Sequence, residues 1–244
     1  SPQGLKREEF RFQNIYQSGY FPVKEDGSVT EEEFCEWDMG FDFYAPQTFV
    51  DNKGRRLLIG WMGMPDAEDE YTNKTIDEGW QHCLTVPREL SVRNGKIIQY
   101  PVKELERLRK EKTILYDEKS IVEIRVEVNE GFDLVIEDIL VTGDHFQISM
   151  GGQMIFKYED GIAEIGFSEI AGAGAGRGRR KAKIDKLDNI RLLADTSATE
   201  IYLNDGEIVF STRYYPDRED LLLKILGGKF KGNLWNLRKM IFTK

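Results

Sequence analysis

Between Val122 and Val128 the chain reads V-E-I-R-V-E-V, apolar and charged residues in unbroken alternation. A period of two belongs to a strand with one face buried and the other in water, because successive side chains leave opposite sides of the pleated backbone. The pattern recurs. Phe132–Val141, Phe146–Met150, Met154–Tyr158, Ala163–Ser168, Ile190–Ala194, Glu200–Leu203 and Ile208–Tyr214 are further strand candidates, and Leu221–Leu226 and Leu234–Phe242 close the series. They fall about ten residues apart with turn residues between them, the spacing of a β-sandwich. Asn204-Asp205-Gly206-Glu207 is the strongest hairpin turn. The class is all-β, with 114–244 expected to form an autonomous sandwich domain.

One segment interrupts the series. Ala171–Lys183, A-G-A-G-A-G-R-G-R-R-K-A-K, is glycine-rich and then basic, as a phosphate cradle would be. It lacks the G-K-[ST] of a P-loop, and no helical pattern follows to supply an N-terminus. The expectation is a flexible hairpin loop with Arg177, Arg179, Arg180 and Lys181 solvated.

Upstream, the spacing changes. Pro101–Lys112, P-V-K-E-L-E-R-L-R-K-E-K, places Val102, Leu105 and Leu108 on one helical side, and Pro101 suits a first helical position. This predicts a linker helix over 101–113. Its stripe of three aliphatics is too narrow for a membrane-surface helix. Before it, Phe10–Phe12 and Tyr20–Val23 are strand-like, Glu25–Ser28 is a turn, and Glu31–Glu33 reads as a solvated loop. The acidic stretch Pro65–Glu78 reads as a surface loop.

Charge narrows the partners. With 34 basic against 43 acidic residues the net charge is −9, which opposes nucleic acid or an anionic membrane surface. No run reaches the ~18 apolar residues of a membrane span. The two cysteines, Cys35 and Cys83, are too few for a disulfide framework, so free thiols in a reducing cytoplasm are expected, with secretion left open. His82 beside Cys83 suggests a metal, but the other histidine, His145, is far along the chain, so none is expected.

The candidate site lies in Gly40–Gly63, G-F-D-F-Y-A-P-Q-T-F-V-D-N-K-G-R-R-L-L-I-G-W-M-G. It reads as two strands around the turn Asp51–Gly54, the first ending or bulging near Pro46, which cannot donate to a ladder. Asp42, Tyr44, Gln47 and Trp61 sit among aliphatics and aromatics. That mixture can hold a sugar, with carboxylate and amide taking hydroxyls and a ring stacking on the apolar face. A half-buried hairpin with satisfied polar groups is the alternative.

The block from Asp38, D-x-G-F-D-F-Y-A-P-Q-T-F and then G-R-R-L-L-I-G-W-M-G, closely resembles a late block of glycoside hydrolase family 32, the invertases, inulinases and sucrose-6-phosphate hydrolases. The resemblance extends to Ser1-Pro2-Gln3-Gly4, Asn14–Tyr20, Trp80, Leu84–Leu90, and Asp195–Glu207, which is similar to the family's D-x-S-x-x-E-v-f-v-N-d-G-e. It implies that residues 1–100 are the last part of a five-bladed β-propeller, ending in a hairpin on Asn94-Gly95, with a linker helix and the C-terminal β-sandwich following. It implies retaining cleavage of terminal β-fructofuranosyl units from sucrose, sucrose 6-phosphate or fructans, without a cofactor. The family's nucleophile lies in W-M-N-D-P-N-G, its transition-state stabiliser in R-D-P and its acid/base in E-C-P, and none of these strings occurs here. The chain therefore reads as the C-terminal half of such an enzyme, with no catalytic residue of its own. Its expected partners are a fructoside and either the missing N-terminal half or a second copy. A non-catalytic carbohydrate-binding or structural fragment is the competing expectation.

Overall fold

The computed structural model describes residues 4–116, 121–168, 172–217 and 220–240. Strands β1 (Gly19–Tyr20) and β2 (Cys35–Glu36) form a short pair. Then β3 (Tyr44–Val50), β4 (Arg56–Met62), β5 (Cys83–Leu84), β6 (Arg88–Arg93) and β7 (Lys96–Pro101) make one antiparallel sheet, ordered β3-β4-β6-β7 with β5 also on β4. Asn94 and Gly95, at φ 51° and 76°, form the β6–β7 turn, the left-handed pair an Asn-Gly hairpin uses. In β3 the register slips between Tyr44 and Gln47, with Ala45 at φ 44°, so the strand bulges at Pro46.

The remaining strands are β8 (Arg109–Tyr116), β9 (Ile121–Glu127), β10 (Phe132–Val141), β11 (Phe146–Met150), β12 (Met154–Glu159), β13 (Ile162–Phe167), β14 (Arg179–Lys183), β15 (Ile190–Ala194), β16 (Ala198–Leu203), β17 (Ile208–Arg213), β18 (Asp220–Leu226) and β19 (Gly228–Leu237). They build two six-stranded antiparallel sheets, β17-β16-β15-β10-β19-β8 and β14-β13-β12-β11-β18-β9. Phe132, Leu134 and Ile136 from the first share one core with Phe156, Ile165 and Leu223 from the second, each at most 1% exposed. Among the described residues the alternating segment, as β9, pairs only with β18, and its apolar side is less completely covered than that of the central strands.

Three expectations need correction. The linker helix is only a 3-10 segment, Lys103–Leu108, and the chain is already extended in β8 from Arg109. Pairing decides this: Lys112 lies opposite Trp235 and Arg109 opposite Leu237 on β19. The Arg109 guanidinium also stacks 3.9 Å from the Trp235 ring and donates to Asp133 at 2.8 Å. Helical spacing is a weak preference that such contacts override. The basic end of the glycine-rich segment is not a loop but the edge strand β14, whose outer edge is capped by Gln13, donating to Lys181 O and accepting from Lys181 N. The last strand runs Gly228–Leu237 rather than Leu234–Phe242, whose final two residues lie outside the described ones.

The sheet of β3–β7 packs against β16 and β17 through a small apolar cluster, Tyr202 and Val209 with Val86 and Tyr100, and through polar contacts. Residues 38–42 run along β17: Met39 N donates to Val209 O at 2.8 Å, and Asp42 N to Ser211 O at 3.1 Å. Gly40 permits this approach, since a Cβ there would stand 2.0 Å from Ser211 O. Arg88 on β6 is fully buried, donating to Asp38 at 3.1 Å, Glu200 at 2.7 Å and Ser211 Oγ at 2.6 Å. Removing its charge strands two buried carboxylates. Arg88→Met should therefore lower unfolding stability by about 3–5 kcal/mol in urea titrations. A loss under about 1 kcal/mol, the value of an exposed ion pair, would contradict this.

Candidate functional site

Tyr44 on β3 lies opposite Trp61 on β4, and Leu84 on β5 lies opposite Trp61 on its other side. Opposed residues of antiparallel strands project to the same face, so these three share one side of the sheet. Gln47 is paired with Ile59, two residues from Trp61, and joins that face, exposed. Trp61 meets Tyr44 edge-on at 6.3 Å between centroids, and Tyr44 packs against Tyr16 at 5.7 Å. On its other flank Trp61 meets His82 at 4.7 Å and 86°. Gly63 makes this last contact possible, because a Cβ there would fall 2.7 Å from the Trp61 indole and 2.8 Å from His82 Cδ2. The result is a partly exposed aromatic wall, Tyr16–Tyr44–Trp61–His82.

The wall is electrically neutral around neutral pH. Tyr16 donates its hydroxyl to Asp66, and that bond holds the phenol above its ordinary value. Burial, seconded by the nearby Arg213 charge, keeps the His82 imidazole below its ordinary value. A surface of ring faces with hydroxyl and amide groups along it matches a polyol that has one apolar side.

Asp42 does not belong to this face. It is fully buried, and its carboxylate accepts from Arg177 Nε at 2.7 Å, a second Arg177 nitrogen at 2.8 Å and Arg213 N at 2.8 Å. A bidentate pair closed off from solvent keeps the Asp42 carboxylate away from this face, two residues before Tyr44. The same contact corrects the reading of Arg177 as solvated. Its guanidinium also donates to Thr72 O and Asn73 Oδ1 and stacks 4.2 Å from the Tyr71 ring. Arg180 covers the Phe41 ring at 4.1 Å and donates to Asn14, while Arg179 stays exposed.

Two wall residues, Tyr16 and His82, and the acid that engages Tyr16 escaped the reading of the sequence. Tyr16 lies in a motif that carries the resemblance, but nothing local shows which strand it meets. Asp66 reads as one more acid in a surface loop. His82 sits two residues before Leu84 on the same alternation, a signal obscured by its neighbour Cys83. That thiol lies 3.7 Å from the Met62 sulfur, and burial pushes it up to about 11, so it is no nucleophile at neutral pH.

Comparison with known proteins bears on this arrangement. The model of the glycosyl hydrolases family 32 N-terminal domain matches residues 1–101, and that of the family 32 C-terminal region matches 165–230. A sucrose-6-phosphate hydrolase of Bacillus subtilis is 39% identical over 221 residues, covering 88% of this chain and 46% of the relative. One of Escherichia coli is 33% identical, covering 97% and 52%. Among solved structures, a sucrose-6-phosphate hydrolase from Lactobacillus gasseri superposes with TM-score 0.82 at 23% identity, over 98% of this chain and 51% of that one. A Bombyx mori GH32 beta-fructofuranosidase follows at 0.74 and 23%, over 98% and 50%. The chain thus spans about half the length of the curated relatives it matches.

The geometry of His82 sets a pH dependence. Its folded value is depressed, so the stability that neutral His82 contributes is complete above the ordinary value of 6.5 and is lost as pH falls through the folded value. Relative to His82→Gln, the wild type should lose stability below that pH. Proton NMR of the chain's two histidines should show His82 titrating under 6.5. A value at or above 6.5 would contradict the packing against Trp61.

Proposed function

Because the chain belongs to glycoside hydrolase family 32, we propose that it supplies the far wall of the fructose pocket in a retaining glycosidase. That enzyme releases terminal β-fructofuranosyl units from sucrose, sucrose 6-phosphate or fructans in the cytoplasm. The observation that carries this reading is the contiguous row of rings Tyr16, Tyr44, Trp61 and His82, built on the Tyr44–Trp61 strand pair. In it the apolar side of the furanose stacks on Trp61, while Tyr44 and Gln47 meet the hydroxyls. Asp42 acts behind them, by holding the backbone that leads to Tyr44.

The reacting carboxylates come from a complementary polypeptide portion that bears the W-M-N-D-P-N-G, R-D-P and E-C-P motifs. Retention requires a nucleophile and an acid about 5–5.5 Å apart across the scissile bond. Here Asp42 is sealed in an ion pair and Asp66 is engaged by Tyr16. In this reading β3–β7 end the five-bladed propeller, and the two six-stranded sheets are the sandwich. Strand β3 is a sheet edge with Phe49 and Val50 exposed, which suits pairing with the preceding blades. The competing reading, a non-catalytic carbohydrate-binding or structural fragment, draws no support from relatives that are hydrolases by name.

Two outcomes test the proposal. The 244-residue chain by itself should release no fructose from sucrose or sucrose 6-phosphate; release that is abolished by one carboxylate substitution within it would overturn the assignment. In enzyme completed with the motif-bearing portion, Trp61→Ala should cost about 1–3 kcal/mol in kcat/KM through loss of the stacking face. Unchanged kinetics in a folded variant would remove Trp61 from the pocket.

A further inference from the structure

We propose that Arg213, at the end of β17 in the sheet behind the pocket, is a positioning residue whose guanidinium sets the His82 flank of the aromatic wall, while its backbone anchors the Tyr44 flank. The inference rests on the wall being the sugar-binding face, but its geometry can be tested without a sugar. Arg213 is fully buried. Its backbone N–H donates to Asp42 Oδ2 at 2.8 Å, two residues before Tyr44. Its guanidinium donates to Gln81 O at 2.8 Å, one residue before His82. One residue therefore holds the chain where it enters the wall at Tyr44 and where it leaves at His82, with Trp61 between them.

The choice of arginine supports this role over simple packing. Among the described residues, every acceptor of its guanidinium is a neutral oxygen: Ser197 O at 2.8 Å, Ser197 Oγ at 3.1 Å, Gln81 O, and Thr75 Oγ1 at 3.4 Å. A buried cation held only by neutral groups keeps much of its desolvation cost, so a long apolar side chain would fill the space at lower free energy. What the guanidinium offers is a rigid planar fork that fixes several carbonyls and hydroxyls at set angles, which an ammonium cannot do. The rings of Trp80 and Tyr215, 5.0 and 5.4 Å from its central carbon, clamp the plane. Its acceptors lie in three separate segments, around 75, 81 and 197. The fork thus ties the Pro65–Glu78 segment and the approach to His82 to the turn between β15 and β16.

The test uses the whole chain and its two histidines. His82 stands edge-on to Trp61, so its ring protons report that geometry through the indole ring current, and His145 serves as the internal control. Spectra are taken above the imidazole titration range and below the melting temperature. The Trp61→Phe variant fixes the His82 resonance expected when the indole is lost. In Arg213→Met the His82 signal should move at least half-way toward that position while His145 stays in place. Arg213→Lys should behave as Arg213→Met, because charge without the fork does not rescue the geometry. A folded Arg213→Met with His82 at its wild-type position overturns the proposal, as does full rescue by lysine. Failure of both variants to fold would make Arg213 a residue of stability only, and equally overturns it. None of these readings depends on fructose release, so the proposal can fail while the assignment of the pocket stands, and the reverse.

Discussion

The seating of the β3–β7 sheet on β16 and β17 centres on one buried charge. Arg88 on β6 is bonded to Asp38, 50 residues before it, and to Glu200, 112 residues after it. Such a cluster adds little net stability, because taking three charges out of water offsets most of their attraction. Its effect is registration. An apolar seam tolerates sliding, whereas a guanidinium that must reach Glu200, Ser211 and Asp38 together has one solution. Once β6 is fixed on β16 and β17, residues 38–42 have only the path along β17 that Gly40 allows.

From there the wall follows. Asp42 is bound by its backbone N–H to Ser211 O and by its carboxylate to Arg177 and Arg213 N. Tyr44 therefore begins β3 at a defined place, and the β3–β4 register brings Trp61 opposite it. Both arginines that hold Asp42 belong to the region downstream of β8, so sheets that contribute no ring to the wall still decide where its rings stand.

Much of this was legible in the sequence, and the reason is local. Alternation and turn residues determine strands without reference to distant partners. Phe132–Val141, Phe146–Met150 and Ile190–Ala194 accordingly coincide with β10, β11 and β15. What a distant contact decides was not legible. Pro101–Lys112 has helical spacing, yet its second half is drawn into an extended edge by β19, more than a hundred residues later. Arg177 lies in glycine-rich sequence that looks solvated, and nothing nearby announces a partner 135 residues away. Those glycines serve the approach: Gly176, at φ 99°, passes so close to the Pro65–Glu78 segment that a Cβ would stand 2.7 Å from Glu70 O.

The role of Asp42 shows the same limit and carries a chemical consequence. Residue type and neighbours suited it to a sugar contact as well as Tyr44 or Gln47, and only burial separates them. A carboxylate facing outward could accept hydroxyls, but it would also put a net charge on the wall. Turned inward and paired with Arg177, it leaves the wall without a net charge at neutral pH. Charge stabilises a transition state only where it meets charge that develops during the reaction. In glycoside cleavage that charge appears at the anomeric carbon and the leaving oxygen, and a neutral stacking wall addresses neither. On the reading proposed above, such a wall would orient the sugar and leave bond cleavage to carboxylates outside it.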